Sequence, residues 1–141
     1  PPPPAPRATP APGLPPSTKT PRLFSNRHVV DANYGGLAFE EEGERCAQLL
    51  TDPKVKVMVM GNHGVMVIGD TVADTFNRMF YFEIIAENYI EERWTGRPMR
   101  TLSEAIAEKE ASEMDDYPGQ AERHLAELKA ILDEEEPVYR N

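Results

Sequence analysis

Residues 55–70 constrain the fold more than any other stretch of the chain. Val55, Val57 and Val59 alternate with Lys56, Met58 and Met60, the two-residue period of a strand. Gly61, Asn62, His63 and Gly64 break that run with turn-forming residues, and Val65, Met66, Val67 and Ile68 resume it before Gly69. Two strand-like runs joined in this way predict a hairpin or a tight strand connection. Asp70 then stands where the N-cap of a long helix over residues 71–94 is expected. His63 is thereby set in a sharp turn between two glycines, where other groups can approach closely. A ligand-binding or proton-carrying side chain belongs in such a place.

The helix after the hairpin is unusually apolar. Val72, Phe76, Met79, Phe80, Ile84, Ile85, Tyr89 and Ile90 cover more than one narrow face. Burial on two sides is expected, by its own sheet and by another subunit. Phe76, Phe80, Tyr81 and Phe82 read as core packing rather than an aromatic cofactor box. Gly96 and Pro98 end the helix. Upstream, Phe24 and the His28, Val29, Val30 run suggest a strand that stops at the turn residues 31–36. A short helix over 40–50 follows, with Leu37, Cys46, Leu49 and Leu50 as apolar members and Glu40, Glu41, Glu42 and Glu44 on a solvated face. Pro53 closes it by pushing the preceding residue out of helical geometry. Downstream, Thr101, Leu102, Ser103 and Glu104 form a capping-box pattern, with Glu104 reaching back to the Thr101 amide. That helix runs to 116, residues 117–119 interrupt it, and a last helix covers 120–135 with Ala121, Leu125, Leu128, Ile131 and Leu132 on one face.

Residues 1–22 are different material. Ten of the fourteen prolines fall at or before Pro21, and too little apolar surface is available there to offset the entropy of ordering, so a disordered segment is expected. A polyproline ligand is the sharper alternative, but Gly13 stands where the motif starting at Arg7 needs its last proline. The expected organisation is therefore a Pro-rich segment over 1–22, a partial domain over 23–100 and a helical tail over 101–141. The formal net charge of −9 and pI near 4.8 argue against nucleic acid or an anionic membrane as partner. No apolar run is long enough to span a bilayer, and no secretory signal pattern is present. Cys46, the one cysteine, reads as a buried, inert thiol, and a cytoplasmic location is expected. The start at Pro1 suggests a fragment or a processed chain.

Asn62, His63 and Gly64, four apolar residues, Gly69, Asp70, Thr71, Val72 and Ala73, then Phe76 and Asn77 resemble the Asn-His-Gly segment of the class II aldolase/adducin family. Asp31 to Ala38, including Tyr34, Gly35 and Gly36, followed by Glu41, Glu42, Gly43, Glu44 and Arg45, resembles the same family at the expected distance. The resemblance covers residues 29–90, and the tail is similar to those of bacterial, aldolase-like members. It implies an α/β fold, a three-layer αβα sandwich around a mostly antiparallel sheet, with its N-terminal part missing or replaced here. It also implies a homo-oligomer, commonly a cyclic tetramer.

In that family the histidine matching His63 is one of three that bind a divalent metal, usually zinc. The other two form a His-x-His pair upstream, and a glutamate further upstream acts as acid and base. A metal chelated by a substrate's carbonyl and hydroxyl stabilises the enediolate formed as a C–C bond breaks. This chain contains no His-x-His, and no residue matches the glutamate, so the resemblance assigns His63 to the metal and no catalytic residue. His28 and His124 read as structural or solvated. Three readings follow: a metal-dependent lyase acting on small hydroxy or phosphorylated carbonyl compounds of carbohydrate metabolism, by aldol cleavage or decarboxylation, with epimerases among its relatives; a non-catalytic adducin-like interaction domain; and an inactive fragment.

Overall fold

The structure, a computed structural model, describes residues 24–36, 39–99 and 101–140. The expected disorder of residues 1–22 lies outside them. In chain order the elements are β1 (His28–Asp31), α1 (Phe39–Leu49), β2 (Val57–Met60), β3 (Gly64–Val67), α2 (Val72–Trp94), α3 (Glu104–Asp115) and α4 (Gln120–Glu135), ending in a 3-10 turn at Pro137–Arg140.

The valine–methionine alternation becomes the hairpin β2–β3, antiparallel with Val57 opposite Val67 and Met60 opposite Gly64. β1 joins the other side of β2 in parallel, with His28 beside Val57 and Asp31 beside Met60. A parallel pair needs a crossover, and the connection carrying α1 supplies it. The described sheet, ordered β1-β2-β3, is thus mixed, with one parallel and one antiparallel pair. Val57 and Met58 are adjacent and both fully buried. Successive side chains point to opposite faces, so β2 is covered on both sides.

One face of the sheet packs on α2. Phe24, Val57, Phe82 and Ile85 form the core there, with Val59, Val65, Val67, Tyr81 and Ala86 around them. Phe24 and Phe82 meet edge to face at 5.8 Å, a favoured aromatic geometry. The opposite side of α2 is less well covered than two-sided burial requires: Val72 is 79% exposed and Trp94 82%. Between them, Phe76 and Phe80 do not join the sheet core; with Tyr81, which borders that core, they surround His124 of α4.

Two caps differ from expectation. Thr71, not Asp70, caps α2: its hydroxyl accepts from the Asp74 amide at 3.1 Å and donates to the Asp74 carboxylate at 2.9 Å. This reciprocal pairing is possible only with the cap three residues before Asp74. Gly69 precedes it because a Cβ there would lie 2.5 Å from the Thr75 nitrogen, so the strand exit closes directly on the helix start. Ser103 rather than Thr101 caps α3, accepting from the Ile106 amide.

Candidate functional site

The hairpin turn and the end of β1 meet because of the parallel register. Asp31 lies beside Met60, and one step further Gly61 donates its N–H to the Asp31 carbonyl at 2.8 Å. A Cβ on Gly61 would sit 3.1 Å from the Ala32 carbonyl oxygen, so glycine lets the chain leaving β1 lie against the turn. Asn62 takes a left-handed conformation, φ 58°, which asparagine tolerates better than most residues. His63 closes the turn by donating its amide to the Met60 carbonyl at 3.1 Å. Its imidazole is exposed. The ring of Tyr34 lies beside it, centroids 4.7 Å apart and planes tilted 44°. Tyr34 is delivered by an Asx turn, in which the Asn33 amide donates to Asp31 Oδ1 at 3.0 Å.

Behind this pair lies a buried ion knot. Asp31, 5% exposed, forms an ion pair with Arg45 Nη2 at 2.6 Å, and the same nitrogen contacts Glu42. Arg45 holds the Asp31 carboxyl below the usual carboxylate range; burial opposes this and the Asn33 amide assists it. Conversely, the two carboxylates push the Arg45 guanidinium further up. Cys46 is buried alongside, as expected, and ligand atoms of Asp31, Glu42 and Cys46 all lie within 4.8 Å of one another. Three metal-type donors are therefore gathered, but the Arg45 cation already stands among them and answers their charge. The expectation that Glu42 is on a solvated helix face is corrected: it turns inward, its side chain 12% exposed. The spacing Glu42-x-x-Arg45 carried a signal for this pair, while nothing local linked it to Asp31.

The three histidines do not converge. His28 stands at the far end of β1, its Nδ1 donating to the Phe24 carbonyl at 2.9 Å. His124 is half-buried on α4, with Nδ1 donating to Asn77 Oδ1 at 2.8 Å, and aromatic rings surround it. Both are structural, and His124 is less solvated than its helix suggested.

The pattern of the class II aldolase and adducin N-terminal domain matches residues 7–90. This chain belongs to that family. The match begins within the Pro-rich stretch and takes in the His63 turn, the Tyr34 loop and most of α2. Among solved structures, an aldolase II superfamily protein from Pseudomonas syringae resembles the chain with a TM-score of 0.77 at 24% identity, over 92% of this chain and 51% of that one. This likeness shows the fold, and the chain spans about half the length of that relative. No curated protein matches significantly. The family implies a divalent metal, for which a catalytic zinc site needs about three protein ligands and an open position. Among the described residues the His63 turn offers one imidazole, and the Asp31–Glu42–Cys46 group does not include it. The described residues therefore do not make up the family's metal site.

Proposed function

We propose that this family member contributes His63 to the reaction site of a metal-dependent lyase that cleaves C–C bonds in small hydroxy or phosphorylated carbonyl compounds. His63 is one ligand of a divalent ion, zinc by the family resemblance, and the remaining ligands come from outside the described residues. Family membership supports the chemistry, and one observation supports the residue. The imidazole is solvent-exposed at the end of the sheet, on a turn whose backbone is fixed by Gly61 and Asn62, with Tyr34 covering one side of the ring. An exposed ring held this way loses little further freedom on binding, which favours ligation. The three-layer sandwich and the oligomer belong to the same proposal: β2 is already covered on both faces, and α2 keeps an apolar side open.

Calorimetric titration of this chain with Zn2+ tests the assignment. Weak binding that disappears in His63→Ala is the expected result. Unchanged binding in that variant removes His63 from the site. Tight binding, or aldol cleavage by this chain alone, shows instead that it completes the site by itself.

A further inference from the structure

The end of the sheet remote from His63 carries a second feature. Below the first rung, the Lys56 amide donates to the Arg27 carbonyl and the Ile68 amide to the Lys56 carbonyl, both at 2.8 Å. Arg27, Lys56 and Ile68 therefore stand at the entry of β1, the entry of β2 and the exit of β3, while His63 lies past the other ends. A cavity of about 270 Å³ opens there, closed by the first turns of α2, the end of α3 and the start of α4.

Charge pairing inside this cavity is incomplete. Arg27 is satisfied by Asp115 at 2.7 Å and Glu108 at 3.1 Å. Arg78 spends one N–H on the Ile68 carbonyl at 2.8 Å, leaving four of the roughly five donors of a guanidinium. Lys56 is half-buried, and neither cation forms an ion pair among the described residues. The Tyr81 hydroxyl accepts from Gln120 Nε2 at 3.3 Å, so its own proton is free to donate. Asp74 and Glu122 also border the space. Among the described residues the Asp74 carboxylate receives the Thr71 hydroxyl on one oxygen and retains acceptor capacity. Two cations without an ion pair, Lys56 and Arg78, a phenol with a proton to donate, and the Asp74 and Glu122 carboxylates line one space, and together match a molecule that carries both an anionic group and hydroxyl donors. A concave site with a few convergent polar groups is the usual form of a small-molecule pocket.

We propose that this cavity binds a small hydroxylated anion, its carboxylate or phosphate group between Lys56 and Arg78 and its hydroxyls toward Asp74. The site is separate from the His63 turn and does not depend on the lyase reading.

The test is calorimetric titration of the chain with glycerol 3-phosphate, glycerate and inorganic phosphate in low-chloride buffer. Saturable binding of at least one hydroxylated anion, tighter than inorganic phosphate, is expected, and the tighter of the two identifies the anionic group. Losing one charge-assisted contact is worth about tenfold in affinity, so Lys56→Gln weakens that binding about tenfold. Gln120→Ala, which frees Tyr81 from its partner without removing a charge, changes it by less, and His63→Ala leaves it unaltered. No saturable binding overturns the proposal, as does binding indifferent to both Lys56→Gln and Gln120→Ala. Equal affinity for inorganic phosphate removes the hydroxyl part of the assignment. Binding lost in His63→Ala relocates the ligand to the other end of the sheet.

Discussion

Asp31 shows how much one side chain decides. Its carbonyl receives the Gly61 amide, one carboxylate oxygen shapes the loop that presents Tyr34, and the other holds Arg45 of α1. Because Arg45 depresses its folded-state pKa, the contribution to stability is present above the unfolded value, about 3.9 for an aspartate, and is lost as pH falls through the folded one. Urea unfolding of the wild type and Asp31→Asn should therefore differ most near neutrality and converge in acid below about pH 4. A gap independent of pH would show that the Arg45 pair does not govern Asp31. Sequence alone revealed only part of this neighbourhood. The turn that carries His63 was legible because glycines and asparagine announce a turn locally. Tyr34 and the ion knot were not, because a register between strands far apart in sequence brings them there.

At the level of elements, helix positions were readable from periodicity, although the caps of α2 and α3 fall at Thr71 and Ser103 rather than where they were expected, and α4 runs over the expected residues. Attachment was less readable. α3 buries Ala107 and Ala111, small side chains that give little area, and its polar link to the sheet passes through Arg27, Asn26 and Lys54 to Glu108 and Asp115. Arg27 is 4% exposed while Glu108 and Asp115 are 32% and 49% exposed, so its loss leaves carboxylates that water can still reach. Arg27→Met should then cost about 2–3 kcal/mol in urea unfolding and raise amide exchange across α3 first. A cost below about 0.5 kcal/mol would class the contact with ordinary surface pairs. No sequence spacing joins Arg27 to a helix so far along the chain, and this anchor was not legible.

Taken whole, the chain is an α/β unit in which no described helix is long and apolar enough to cross a membrane. The strand–turn–strand–helix order was correctly anticipated. What composition could not show is which side of α2 would be left open. Val72, Ile90 and Trp94 are exposed along α2, and contiguous apolar surface of this kind favours association. Light scattering should report concentration-dependent association, weakened by Trp94→Glu. A monomer at all concentrations would argue against that face as an interface.

The mixed sheet also sets an order of events in time. β2 and β3 pair across the Gly61, Asn62, His63 turn, whereas β1 reaches β2 only after the whole of α1 has been bridged. Closing the longer loop costs more entropy before any contact repays it. The hairpin with the start of α2 is thus the natural folding nucleus, and β1 docks late. Val65→Ala should chiefly slow refolding, whereas Val29→Ala should chiefly speed unfolding, a split that stopped-flow chevrons resolve. Equal effects on both limbs would mean that the three strands assemble together. On this order the turn bearing His63 exists before Tyr34 arrives beside it, so the imidazole is positioned by the local chain first and meets its neighbouring ring afterwards.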